Sequence, residues 1–479
     1  MIRKTTISLL FLISIFYSCD DNPDKAPPNI LFIAVDDLRP ELNCFGAGHI
    51  VSPNIDQVAE AGIIFRQAYC QVPVCGASRA SLLTGIRPNM SRFIDYDTWA
   101  DIDAPGVLTL PGHFKANGYH TISNGKIFHH KTDKIDSWSE APWLAADDII
   151  GKKYWRDYQK KENIEIMENN DGAGPPYENA DVDDNAYFDG KVTIRSINDL
   201  KRLKDMGKPF FLAVGYLKPH LPFNAPKKYW DLYDPMELDL PANPHIPENA
   251  PAASMHNFGE LRAYYNIPSQ GPLPDSMARK LIHGYYACVS YTDALIGNLL
   301  KELERLDLDK NTIVIIWGDH GWNLGEHGLW CKHCNYETSL RAPVILKVPW
   351  KKGGIKTDAM VEFIDVYPTL CDLAGIDIPD HVQGESLLKY YDNPNHKGKP
   401  FVFSRFIKGE SVKNQEFRYT EWLDSSQSRY AEMLYNHRTD PDENHNISGN
   451  NENIEIINAL RESNLKNRIQ SGNAVEVNE

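Results

Sequence analysis

The chain has 479 residues, 42% of them hydrophobic, which is enough apolar material for one large domain plus a smaller one and excludes a disordered tail. Its 50 Lys+Arg against 65 Asp+Glu give a formal net charge of -15, which excludes nonspecific binding to nucleic acid or to an acidic membrane surface. An anionic substrate would need a locally basic pocket.

The N-terminus reads as an export signal: Arg3-Lys4, an apolar run from Ile7 to Tyr17, then Ser18-Cys19-Asp20-Asp21. The run is far short of the roughly 18 residues of a membrane span. A cysteine directly after it resembles a bacterial lipobox, with Phe16 where leucine is usual, so Cys19 is the expected lipidation site; a cleaved soluble signal is the alternative. Asp20, Asp21 and Asp24 resemble the surface-export tag of Bacteroidetes lipoproteins, which implies an outer-membrane or cell-surface lipoprotein, with the periplasm as second choice. The expected organisation is a signal over 1–19, a tether over 20–28, a catalytic domain over 29–391 and a smaller α+β subdomain over 392–479.

Asn29 to Val35 is a continuous apolar, β-branched run of buried-strand type that stops at Asp36-Asp37, and Thr312 to Trp317 is a second that stops at Gly318-Asp319-His320. Between them lie helical stretches, Asn54 to Ala61 and Ser276 to Leu306, and a strand from Phe210 to Tyr216. Such alternation predicts an α/β sheet covered on both faces, with ligand groups just past the carboxyl ends of its strands, where both acidic pairs fall. The polar stretches Trp138 to Asp184 and Asp234 to Asp275 read as long surface excursions that would wall a pocket. Short strands are expected over Phe401 to Phe406, Phe417 to Leu423 and Tyr430 to Leu434, and a solvated helix beyond Ser448. Cys331-Lys332-His333-Cys334 has a spacing that suits redox or zinc chemistry, but no second such pair follows, so a structural reading is preferred.

The most specific segment is Val74-Cys75-Gly76-Ala77-Ser78-Arg79-Ala80-Ser81-Leu82-Leu83-Thr84-Gly85. It resembles the signature of type I sulfatases, in which the leading cysteine is oxidised to formylglycine by a maturation enzyme. The chemical need is plain: a thiol attacking sulfur would leave a stable ester, whereas a hydrated aldehyde offers one hydroxyl to attack and a second whose deprotonation expels sulfate. A nucleophile at a helix N-terminus gains from the unpaired N–H groups there, and Arg79, one turn on, would pair with its anion.

The pattern around Cys75 is most similar to iduronate-2-sulfatase-like members, which implies an alkaline-phosphatase-like α/β sandwich with a large mixed sheet flanked by helices. Asp36, Asp37, Asp319 and His320 resemble that family's metal ligands, completed by the modified Cys75; this oxygen-rich set suits calcium, with magnesium second. Gly125-Lys126-Ile127-Phe128-His129, Leu217-Lys218-Pro219-His220 and Lys332 resemble the runs that grip sulfate. The resemblance gives Lys126 and Lys332 to the sulfate, His220 to protonation of the departing sugar oxygen and His129 to the formylglycine hydroxyl. Trp322, His333, Arg418 and Trp422 are candidate substrate contacts, suited to a sulfated sugar. Ala77 stands where proline is most common, and Leu217 replaces a histidine frequent in iduronate-type members. The resemblance therefore implies a hydrolase of sulfated poly- or oligosaccharide, glycosaminoglycan or ulvan-type. A phosphate- or phosphonate-ester hydrolase of the same superfamily and a non-catalytic glycan-binding surface protein are the alternatives.

Overall fold

The computed structural model describes residues 26–145 and 154–472; Cys19 and the signal segment lie outside them. A seven-stranded mixed sheet carries the fold: β1 (Asn29–Val35), β2 (Ile63–Tyr69), β3 (His120–Gly125), β4 (Phe210–Tyr216), β5 (Thr312–Gly318), β6 (Val344–Lys347) and β7 (Ile355–Glu362). They lie in the order β7-β2-β6-β5-β1-β4-β3. Strands β5, β1, β4 and β3 run parallel, so their carboxyl ends open on one side of the sheet. Strand β6 runs antiparallel to both its neighbours.

The continuous apolar run of β1 is buried at every residue because both faces are covered. With a strand period of two, Leu31, Ile33 and Val35 point into a core shared with α1 (Pro53–Glu60), α3 (Phe188–Met206) and α4 (Asp275–Arg305). Ile30, Phe32 and Ala34 point into the other core, shared with α2 (Cys75–Thr84) and α5 (Val366–Ala374). No helix among the described residues is long and apolar enough to cross a membrane.

A second, antiparallel sheet holds β8 (Val402–Phe406), β9 (Gly409–Lys413), β10 (Phe417–Leu423) and β11 (Arg429–Asn436). Strand β9, Gly-Glu-Ser-Val-Lys, lacks an apolar run, and the sequence reading passed over it. The last helix, α6 (Ile454–Gln470), is not merely solvated: Ile457 and Leu460 are buried against Val412, Tyr419 and Leu434, and Arg468 pairs with Glu410 and Glu421 of the sheet. The sheet docks on the larger unit through Ser404 Oγ, which donates to Cys70 O at 2.6 Å, and Arg405 N, which donates to Gln71 O at 2.8 Å.

Candidate active site

Four adjacent parallel strand ends and one helix N-terminus meet at a single point. Strand β1 delivers Asp36 and Asp37, β5 delivers Asp319 and His320, β3 delivers Lys126 and the loop to His129, and β4 leads to His220. Cys75 opens α2. The turn at Lys126 depends on two glycines: Gly125 has φ +75, and a side chain on either Gly125 or Gly215 would strike the backbone of the other strand.

The two acidic pairs lock together, for Asp37 N donates to Asp319 Oδ1 at 3.0 Å. Arg79 sits between them. Its Nε donates to Asp319 Oδ2 at 2.8 Å and its Nη2 to Asp36 Oδ1 at 3.1 Å, while Nη1 donates to the carbonyls of Lys126 and Ile127. None of these bonds goes to Cys75, although the Cys75 charge acts on the guanidinium; the arginine braces the carboxylates. Lys126 Nζ lies 2.6 Å from Asp36 Oδ2, and Lys332 Nζ 3.0 Å from Asp37 Oδ1. Burial works to raise the Asp36 carboxyl, but Lys126 and Arg79 hold it well below the usual carboxylate range. For Asp37 burial wins, with the Asp36 charge adding to it, and its carboxyl stands above the usual range.

Cys75 Sγ lies 3.3 Å from His320 Nε2 and 3.9 Å from Asp37 Oδ1. Burial, with Asp36 next, pushes its thiol well above the ordinary range. His320 Nδ1 donates to Gly321 O at 2.9 Å, a bond that orients the ring so that Nε2 faces the cluster, as a metal ligand requires. Ligand atoms of Asp36, Asp37, Cys75 and His220, and likewise of Cys75, Asp319 and His320, all lie within 4.8 Å of one another. Three carboxylate residues, one imidazole nitrogen and a position at residue 75 fit a hard divalent cation.

A cavity of about 460 Å³ opens over this cluster. Cys75, Lys126, His129, His220, Lys332 and His333 all line it. Most of its remaining wall comes from the two polar excursions, Tyr154, Trp155 and Arg156 from the first and Glu260, Ala263 and Tyr264 from the second, with Val74, Tyr96 and Leu217 completing it. His220 Nδ1 donates to Leu221 O at 2.6 Å, and Nε2 lies 3.1 Å from Glu260 Oε1; both ring nitrogens thus face acceptors. Burial, with Lys126 next, depresses His129 to about 2, so its ring is neutral. Burial also depresses His333, to about 3.

Glu260 escaped the sequence reading. Its Oε1 accepts from Lys332 Nζ at 2.8 Å as well as facing His220, and although burial opposes it, Lys332 and His220 hold its carboxyl well below the usual range. No motif marks it; its only signal is its place in an excursion expected to wall the pocket.

Three candidate substrate contacts find other places. Trp322 is fully buried, stacked on Tyr285, with the Lys332 ammonium 4.9 Å over its ring; it supports Lys332 from behind. Trp422 is buried in a small core with Leu329, Tyr336 and Met433. Arg418 is buried against Glu337 and Glu443 and over the Tyr69 ring, so the acid–histidine group Glu337, His437 and Glu443 already has its cation. Neither Arg418 nor Trp422 lines the cavity, because strand β10 turns both side chains into the junction between the two units. Cys331 and Cys334 are buried and, like the other described cysteines, unpaired.

Comparison with known proteins agrees with this geometry. A family profile described as Sulfatase matches residues 28–376, and one described as N-sulphoglucosamine sulphohydrolase, C-terminal, matches residues 325–470. Iduronate 2-sulfatase of Mus musculus is 31% identical, covering 96% of this chain and 98% of its own. An ulvan-active sulfatase of Formosa agariphila is 28% identical, covering 90% of this chain and 78% of its own. Among solved structures, a protein in complex with its substrate D-glucosamine-2-N,6-O-disulfate has a TM-score of 0.73 at 22% identity, covering 93% of this chain and 98% of the other. The chain belongs to the sulfatase family. It is an enzyme of the sulfuric ester hydrolase class, with iduronate 2-sulfatases among its relatives.

Proposed function

We propose that this sulfatase removes sulfate from a sulfated poly- or oligosaccharide of glycosaminoglycan or ulvan type, with formylglycine made from Cys75 as nucleophile and calcium, ahead of magnesium, held by Asp36, Asp37, Asp319 and His320. The observation that carries it is the convergence of Cys75, two lysines and two histidines on one cavity above a buried acidic cluster. Formylglycine, as its hydrate, supplies one hydroxyl to attack sulfur and another to release the sulfate. The cation, when bound, stabilises charge on the sulfate oxygens and at residue 75.

The chain's own residues do the rest. Lys126 and Lys332, anchored by Asp36 and Asp37, offer N–H donors to the sulfate oxygens, whose charge must stay neutralised as the S–O bond breaks. His220 holds a proton on Nε2 for the departing sugar oxygen. His129, neutral, is able to take a proton at residue 75. Arg79 fixes the carboxylates, and the aromatic side chains of Tyr96, Trp155 and Tyr264 provide faces for a sugar ring.

The test is sulfate release from defined sulfated oligosaccharides of animal and algal origin, paired with the mass of the peptide spanning residue 75 from the native host. An unchanged cysteine would favour a glycan-binding protein, and preferred cleavage of an aryl phosphate over the aryl sulfate would favour the phosphoester reading. We also place the border between the catalytic domain and the C-terminal subdomain at 391/392 and the mature chain at the cell surface through lipid on Cys19. Metabolic labelling with a fatty acid checks the anchor: a Cys19→Ala protein that still takes the label defeats it.

A further inference from the structure

Arg156 is buried, 7% exposed, in the wall of the catalytic cavity. Its guanidinium lies 4.7 Å from the Tyr264 ring, Nη2 makes one long bond of 3.4 Å to Ala263 O, and Nε has no partner. Every other buried arginine among the described residues has a carboxylate: Arg79 has Asp36 and Asp319, Arg405 has Glu410, Arg418 has Glu337 and Glu443, and Arg468 has Glu410 and Glu421. Arg156 has none.

Neither acid nearby forms an ion pair with it. Asp157 accepts from Phe188 N and Gln159 Nε2, and Glu260, three residues before Ala263, gives Oε1 to Lys332 and His220 while its Oε2 has no partner. A buried guanidinium without a counter-ion is costly, and its rigid fork matches a carboxylate or sulfate edge. The sulfate ester to be cut already meets Lys126 and Lys332 on the floor of the cavity. An anion for Arg156 must come from another part of the same ligand.

We propose that Arg156 is a specificity-determining residue that reads a second anionic group, a carboxylate or another sulfate, on the sulfated sugar; the proposal rests on the sulfatase reading of this cavity. The Tyr264 ring holds the guanidinium plane, so replacement by lysine keeps the charge but loses the fork.

The test compares kcat/KM for a sulfated hexuronate, a disulfated hexosamine, a neutral monosulfated hexose and an aryl sulfate in the wild type, Arg156→Gln and Arg156→Lys. The ratio of the best acidic sugar to the aryl sulfate should fall at least about 30-fold in Arg156→Gln, as expected when one partner of a buried charge pair is removed, and recover in part in Arg156→Lys. Which acidic sugar loses more identifies carboxylate or sulfate. An unchanged ratio, or an equal loss on the neutral hexose, overturns the assignment. The same sugars are titrated calorimetrically into Cys75→Ala protein with and without Arg156→Gln. If the wild type releases no sulfate from any substrate, the functional reading falls, while Arg156 still stands or falls on whether its loss weakens the acidic sugars selectively.

Discussion

Asp36 with Asp37 and Glu362 with Asp365 are both buried pairs of acids that face basic side chains, and only the first lies at the catalytic cavity. Glu362 and Asp365 are enclosed by Arg87 and Lys399, and their remaining oxygen positions go to the backbone N–H groups of Phe403, Glu362 and Glu385. Every acceptor there has a donor from the chain, as buried polar groups in a structural role require. Asp36 and Asp37 also meet basic side chains on every oxygen, but they converge with Asp319, His320 and Cys75 beneath an open cavity. The lesson is that charge pairing alone does not distinguish a fastener from a centre; the gathering of further ligand-type atoms under an open cavity does.

The comparison breaks most sharply at residue 75. Cys75→Ala should lower sulfate-ester turnover roughly 10⁴-fold or more, the scale of losing a covalent nucleophile, with its thermal unfolding unchanged; retained turnover in a continuous sulfate assay would mean the centre lies elsewhere. Next in size is Asp319→Ala, which removes a proposed ligand and also the acceptor of Asp37 N and Arg79 Nε. The wild type should gain about 2.7 kcal/mol of stability at calcium a hundredfold above its dissociation constant, and the variant should gain none in the same melting experiment. A chelator should abolish turnover in the wild type, and calcium should restore it.

The structural pair gives the control. Burial opposes it, yet Arg87 and Lys399 hold the Glu362 carboxyl at about 2. A carboxyl held below its usual value contributes stability that is present above that value and lost as pH falls toward 2. Glu362→Gln should therefore cost about 3 kcal/mol near neutrality, as when one partner of a buried pair is removed, and the gap to wild type should close on acidification. Denaturant titrations between pH 3 and 7 read both. Specific activity of the folded variant should be close to that of wild type, since Glu362 lies outside the catalytic cavity.

Much of this was legible in the chain itself, for reasons that also explain the rest. Strands β1, β4 and β5 are continuous, mostly apolar runs buried on both faces, so their bounds could be read almost to the residue, and the acids ending β1 and β5 fell where parallel strands must leave them. Cys75 stood out through an unbroken run of twelve residues. Arg79 had the right position, but helical spacing says only which turn a side chain occupies, not that it also reaches under the helix to the next strands. Arg418 and Trp422 failed because alternation along β10 gives two faces and cannot say which one meets the cavity. Glu260 has no periodicity or motif at all, and only the folding of a polar excursion brings it between Lys332 and His220.

That last residue makes the finest test of the contrast, because Glu260 belongs to neither acidic pair yet touches the chemistry through others. It is a positioning residue: its Oε1 holds the Lys332 ammonium and the His220 ring at once. Glu260→Gln keeps the volume and one acceptor but removes the charge that favours a proton on His220 Nε2. The loss in kcat should be roughly 10–100-fold, the range for groups that orient a directly acting residue, and it should depend on the leaving group. A sugar alkoxide must be protonated as it departs, whereas a nitrophenolate leaves unaided, so sulfated sugar should suffer at least about tenfold more than nitrophenyl sulfate, a gap that general acid catalysis is large enough to supply. A merely structural glutamate would slow both substrates alike, and equal losses would return Glu260 to the same class as Glu362.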